Sequence, residues 1–235
     1  FVLSHTMMPV HIPDHEQVQK FLPPYKPHTI LSPEDPRTIN SVLFPGRREN
    51  PEGVLCDGYM EMRYKLQAAF EEAKTVITET NAAFASTFGR DHGGLLWTYL
   101  TDDAELIMTG MGSIAAEAIA AADMLRAEGI KAGVVGIRVF RPFPRDEVVR
   151  TFEQAHAIVT FEKAISYGYE GALCSDLKAA FYGTGIDAPI HNYVAGLGGR
   201  DVKPRELAEA GKNALAMLEG QTMKNETKWL NCYTG

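Results

Sequence analysis

Residues 104–140 read AELIMTGMGSIAAEAIAAADMLRAEGIKAGVVGIRVF and hold one complete βαβ unit. An apolar run predicts a buried strand over 104–109. A helix follows over 113–128, ended by Gly129, and a second strand spans 131–140. The turn Gly110-Met111-Gly112-Ser113-Ile114-Ala115 leaves a strand, opens a helix and satisfies G-x-G-x-x-A.

The alternation continues beyond this unit. A helix over 144–155 carries Pro144 at its first position, where a missing N–H costs nothing, with Arg145, Asp146 and Glu147 behind it. Strands follow over 156–162 and 189–195, and helices over 170–182 and 204–219. Leu173, Leu177 and Phe181 share one helix face, as do Leu207, Gly211, Ala214 and Leu218. Repeated βα units predict an α/β fold: a mainly parallel sheet flanked by helices.

The territory before residue 104 differs. Nine of the 13 prolines fall between Pro9 and Pro51, where each fixes φ and removes a donor, so regular structure is confined to short pieces. Phe21, Leu22, Tyr25, Ile30, Leu31, Val42, Leu43 and Phe44 make the stretch too apolar for a solvated linker, and it reads as a packed, extended strap. From Gly58 to Gly89, Met62, Leu66, Phe70, Ala73, Val76, Ile77, Phe84 and Phe88 recur at three- and four-residue intervals and predict one long helix.

The 235 residues carry 23 Lys+Arg against 30 Asp+Glu, a formal charge of −7. That acidic balance, with no basic stripe, argues against nucleic acid. No apolar run approaches a membrane span, and no basic leader precedes an apolar segment. Cys56, Cys174 and Cys232 are odd in number, widely spaced and without a CxxC pair, which suits a reducing cytoplasm and argues against a metal or iron-sulfur centre held by this chain. The chain opens on Phe1 without an initiator Met and reads as the interior of a longer polypeptide. The seven histidines are dispersed, with no HExxH; no metal site is expected.

Three groups of residues could carry chemistry. The Gly110–Ala115 turn could cradle a pyrophosphate at a helix N-terminus, and Arg138, standing where an acidic residue is usual, would suit the 2′-phosphate of NADP. Close helix–strand packing explains the same glycines without a ligand. The second group is Gly196-Leu-Gly198-Gly199-Arg200-Asp201, whose glycines permit positive φ and close approach, and whose Arg200 could clamp a carboxylate or phosphate. A tight corner is the plainer account. The third is Arg138, Arg141, Glu162, Lys163 and Tyr169, at or just beyond strand ends, where open α/β sheets place ligands. All of these are candidate ligand or interface residues, and none is assigned a catalytic role.

Taken in order, Phe1-Val-Leu-Ser-His-Thr, Phe21-Leu-Pro-Pro-Tyr, Tyr59-Met-Glu-Met-Arg-Tyr, Gly136-Ile-Arg-Val-Phe-Arg-Pro-Phe-Pro and Ala195-Gly-Leu-Gly-Gly-Arg-Asp-Val resemble the alpha subunit of pyruvate:ferredoxin oxidoreductase, or pyruvate synthase. The resemblance implies that residues 1–103 are the end of a pyrimidine-binding-type domain, a Pro-rich connection and the long helix. Residues 104–220 would form a transketolase C-terminal-like domain, and 221–235 a tail without a motif. It further implies thiamine diphosphate and iron-sulfur clusters in the whole complex, none of them held by this part. The partners implied are the other subunits of an oligomeric assembly, and ferredoxin or flavodoxin through the complex. This part would serve mainly as scaffold, presenting Glu162, Arg200 and Asp201 to neighbouring subunits. A branched-chain 2-oxoacid enzyme, a non-catalytic assembly module and an NADP-binding domain are the alternatives.

Overall fold

The computed structural model describes residues 12–22, 24, 48–49, 53, 55–56, 58–219 and 227–233. The chain divides into two compact units, one holding Ile12–Asp91 and the other the residues from His92 onward. Among the described residues no helix is long and apolar enough to cross a membrane.

In the first unit, α1 (His15–Phe21) begins two residues after Pro13. Asp14 caps it, its Oδ1 accepting the N–H groups of Glu16 at 2.9 Å and Gln17 at 3.3 Å. Two short strands, β1 (Arg48–Glu49) and β2 (Leu55–Cys56), pair antiparallel. The rest of the predicted Pro-rich strap lies largely outside the described residues.

The long helix expected from Gly58 to Gly89 is α2 (Tyr59–Phe88), 30 residues and about 45 Å at 1.5 Å per residue. Glu61 Oε2 accepts the Gly58 N–H at 3.0 Å, and Gly89, at φ 66°, ends the helix in the left-handed conformation that glycine adopts without penalty. Phe21 packs edge-on against Phe84 and Phe88, with ring centroids 5.8 and 5.7 Å away. These aromatic contacts hold α1 on the last turns of α2. No residue of α2 is fully buried.

The second unit is the α/β domain. Its strands are β3 (Leu96–Tyr99), β4 (Leu106–Met111), β5 (Ala132–Ile137), β6 (Ala157–Glu162), β7 (Ile190–Val194) and β8 (Lys228–Trp229). They form one sheet in the order β3-β5-β4-β6-β7-β8, with β3 antiparallel to β5 and every other pair parallel. The helices are α3 (Ser113–Ala127), α4 (Arg145–Phe152), α5 (Ala172–Phe181) and α6 (Pro204–Ala216). The mainly parallel, helix-flanked sheet read from the sequence is therefore present. It gains two strands that the apolar pattern did not announce, β3 and β8. The predicted strand 131–140 ends at Ile137, because Arg138–Phe140 leave the sheet.

Successive residues on the central strands face opposite layers. Leu106, Met108, Val134 and Val159 pack with Ile114, Ala118, Ala122 and Leu125 of α3 and Leu207 and Ala214 of α6. Ile107, Val135 and Ile158 pack with Phe152 of α4 and Leu173 and Leu177 of α5. A Cβ on Gly211 would stand 2.9 Å from Leu106 Cδ2, so the glycine is what lets α6 lie this close to the sheet.

Counted along the parallel strands, the order places the second strand beside the first and the third on its other side. The chain leaves β4 toward α3 on one face and leaves β6 toward α5 on the other. The two connections diverge between adjacent strands, which is the switch point where doubly wound sheets open a crevice. By contrast α6 returns to the α3 face, and β8 pairs parallel on the outer side of β7. β8 is thus an edge strand added to the doubly wound core.

Candidate functional site

An apolar cleft of about 330 Å3 opens at this switch point. Met111 ends β4 and Ile114 stands in the first turn of α3. Phe140 comes from the loop after β5, Phe161 from β6, and Ala172 and Leu173 from the first turn of α5. Glu162, Lys163 and Ala164 complete the wall.

Glu162 is the only acidic residue in that lining, and only 6% exposed. Its Oε2 accepts the Leu173 N–H at 2.8 Å. Its Oε1 accepts the Cys174 N–H at 3.2 Å and the Asn192 amide at 2.7 Å. The carboxylate therefore caps the N-terminus of α5, whose own first residues carry no capping side chain. Burial pushes the Glu162 pKa up, the three donors pull it down, and the neighbouring charge of Glu170 adds to the rise; the net direction is upward.

Asn192 makes this arrangement possible. Its Nδ2 also donates to Thr160 Oγ1 at 2.8 Å, and its Oδ1 accepts from the Gly171 N–H and from Thr227 Oγ1, both at 3.0 Å. Every donor and acceptor of that amide is used. Gly171 is required by space: a Cβ there would lie 1.9 Å from Glu162 Oε1. Beneath it, buried Glu170 accepts from Ser175 Oγ at 3.0 Å and pairs with Lys178.

The Glu162 carboxylate, expected to face a neighbouring subunit, is spent inside the domain on α5 and Asn192. Lys163, half-buried at the cleft, has an amine made less basic by burial. Arg141 is likewise committed: its guanidinium forms a fork with Asp176 on α5, at 2.6 and 3.2 Å, and stacks over the Phe140 ring at 4.3 Å. This pair fixes the Phe140 wall of the cleft to α5. Arg138 donates to the Gly94 carbonyl at 3.4 Å. Tyr169 is 69% exposed and does not line the cleft.

The second glycine cluster follows the carboxyl end of β7, toward the β8 edge of the sheet. Gly196, Gly198 and Gly199 all have positive φ (72°, 64° and 78°), and a Cβ on Gly198 or Gly199 would meet nothing within 4 Å. All three supply backbone conformation, and at Gly198 and Gly199 no close approach is involved. Arg200, expected to clamp a ligand or a subunit, donates to the Asn231 carbonyl and lies over the Tyr233 ring at 5.5 Å. The Asp201 carbonyl accepts from Asn231 at 3.3 Å, and its carboxylate lies 3.8 Å from Lys203. These residues hold the tail that carries β8 and stand apart from the cleft.

The G-x-G turn has a packing explanation. A Cβ on Gly110 would meet the Phe161 carbonyl at 2.8 Å, and Gly112 takes φ 59°. Sequence reasoning missed Asn192, Thr227 and Asn231. A signal existed for the first of these, because His191-Asn192 interrupts an otherwise apolar strand.

Residues 104–207 match the family described as pyruvate:ferredoxin oxidoreductase core domain II. The chain is 38% identical over 210 residues to pyruvate synthase subunit PorA of Methanosarcina barkeri, covering 89% of this chain and 50% of that one. It is 35% identical over 230 residues to ketoisovalerate oxidoreductase subunit VorA of Pyrococcus horikoshii, covering 97% of this chain and 56% of that one. It thus spans about half the length of the curated relatives it matches. Among solved structures, a split-gene transketolase described as an inactive beta4 tetramer is similar at TM-score 0.42 and 24% identity, over 51% of this chain and 41% of that one. Residues 104–207 thus carry a pyruvate:ferredoxin oxidoreductase core domain II, and the chain is similar along nearly its whole length to subunits of pyruvate synthase and ketoisovalerate oxidoreductase.

Proposed function

We propose that this chain is part of the alpha-type subunit of a thiamine diphosphate-dependent pyruvate:ferredoxin oxidoreductase. The whole enzyme converts pyruvate and coenzyme A to acetyl-coenzyme A and carbon dioxide, and passes the electrons singly to ferredoxin. The observation that carries this reading is the 38% identity to a pyruvate synthase subunit across 89% of the chain.

The residues described here do not fit the cofactors such a complex uses. The Glu162 carboxylate at the cleft already holds α5 and Asn192, so it offers nothing to a thiamine ring. A bound diphosphate calls for a divalent cation, and among the described residues no cluster of His, Cys, Asp or Glu is suited to hold one. Cys174 is buried and Cys232 exposed, far from the four-thiolate arrangement of an iron-sulfur centre. In this reading the cofactors belong to other parts of the assembly, and the domain from residue 104 acts as scaffold and subunit interface. Its internally satisfied charges, Glu162, Arg141 and Arg200, suit a scaffold.

A branched-chain 2-oxoacid is the second substrate reading, supported by the 35% identity to a ketoisovalerate oxidoreductase subunit over 97% of the chain. The test is ferredoxin reduction by the complex assembled from the full-length subunit and its partners. Higher kcat/KM for pyruvate than for ketoisovalerate is expected; the reverse order would transfer the assignment to the branched-chain substrate. Decarboxylation by this chain alone would overturn the scaffold role.

A further inference from the structure

The cleft at the switch point is built more firmly than packing alone requires. Its walls come from β4, α3, the loop after β5, β6 and α5. The Arg141–Asp176 fork fixes the Phe140 side, and Glu162 fixes the first turn of α5. A pocket whose walls are already held loses little freedom when a ligand enters.

Its lining is mainly apolar, with Lys163 as the basic residue in the wall. Met111, Ile114, Phe140, Phe161 and Leu173 present carbon or thioether surface. The Glu162 oxygens are engaged with the α5 amides and Asn192, so the inner wall supplies no strong acceptor for a ribose or sugar hydroxyl. The cleft volume of about 330 Å3 is roughly twice the ~150 Å3 of an engineered apolar cavity that holds one benzene molecule. That exceeds the needs of a single inserted aromatic side chain.

We propose that this cleft binds a small molecule with an uncharged apolar body, an aliphatic or aryl group of roughly eight to ten carbons, which leaves its polar end at the mouth. The proposal does not depend on which 2-oxoacid is the substrate.

The experiment is a methyl-labelled NMR titration of the full chain with 1-octanol and, separately, with octanoate. One-site, saturable shifts confined to the Met111, Ile114 and Leu173 methyls are expected, with affinity for the two probes agreeing within about threefold. Ala172→Phe, at the cleft wall, should weaken binding at least tenfold; Ala164→Phe, from an exposed loop position, fills the same space without touching the core. Shifts scattered over the whole domain, no saturation, or unchanged affinity in a folded filled variant would overturn the proposal. Binding of octanoate but not octanol would overturn the uncharged body. If neither variant folds, the wild-type titration alone decides.

Discussion

Glu162, the last residue of β6, accepts the backbone N–H of Leu173 at 2.8 Å in the first turn of α5. A side chain at the end of one strand thus closes the helix that follows it, across an eleven-residue step in sequence. The same carboxylate reaches β7 through Asn192, and Asn192 reaches the tail through Thr227. One buried acid therefore joins a helix N-terminus, two strands and the chain's last described segment.

Gly171 and Glu162 are predicted to be energetically coupled. Glu162→Ala leaves two amides and the Asn192 donor without their acceptor, at a cost of about 3 kcal/mol. Gly171→Ala alone should cost about 2 kcal/mol, because its Cβ would stand 1.9 Å from Glu162 Oε1, whereas its φ of −70° suits alanine. In the Glu162→Ala background that clash has no object, so Gly171→Ala should become nearly neutral. Urea unfolding of the four proteins measures the cycle, and additive costs would refute the coupling.

The βαβ core was legible because its information is local: apolar strands, glycine-ended helices and Pro144 all stand within the elements they define. β3 and β8 were not legible for a physical reason. Trp97 of β3 is placed by lying over Gly136, nearly forty residues later, where a Cβ would be 2.0 Å from its ring. β8 has two residues and is held by side chains at Arg200, Asn192 and Glu206. At the site, Glu162 and Lys163 could be singled out from their strand-end positions. What Glu162 does could not, since its partners become neighbours only when β6, α5 and β7 assemble. Arg200 looked like a ligand clamp because its partner sits in a tail without a motif.

His191 gives a pH-dependent stability. It is buried, and its Nε2 has no hydrogen-bond partner among the described residues. Burial first, and the nearby Lys228 charge second, lower its pKa below the ordinary 6.5. Below pH 6.5 the unfolded chain takes up a proton that the folded chain refuses. The stability associated with His191 is therefore complete above 6.5 and is lost as pH falls toward the lower folded value. His191→Leu should gain about 1 kcal/mol at pH 7.5 and more at pH 5.5. Urea midpoints of the two proteins across this range give the difference; a difference independent of pH would exclude a neutral buried imidazole.

Cys174 is predicted to be inert as a nucleophile. Burial, opposed by Lys178 and reinforced by Glu170, pushes its thiol up to about 12. At pH 8 roughly one molecule in ten thousand then carries the thiolate. Iodoacetamide should label exposed Cys232 and leave Cys174 at least a hundredfold slower in the native protein, with protection lost in denaturant. Peptide mapping of the time course reads both sites, and comparable native rates would contradict the burial.

The tail is held by discrete ties, and releasing them should free it without unfolding the domain. Leu230 N–H donates to the Val194 carbonyl at 2.9 Å, and β8 adds only two residues of pairing. The remaining bonds come from side chains: Arg200 to the Asn231 carbonyl, Asn231 to Glu206 at 2.9 Å, and Thr227 to Asn192. The buried clusters from β4 to α6 contain no tail residue, and Leu230 packs against one of them only as a partly buried neighbour. Arg200→Ala should therefore raise amide exchange across 228–231 roughly tenfold while the melting temperature moves by less than about 2 °C. Asn231→Ala, which removes the donor to Glu206 and Asp201, should act in the same direction. Unchanged exchange in both variants would mean that strand pairing alone secures the tail. A large drop in melting temperature would mean that β8 belongs to the cooperative core, contrary to its position as an appended edge strand.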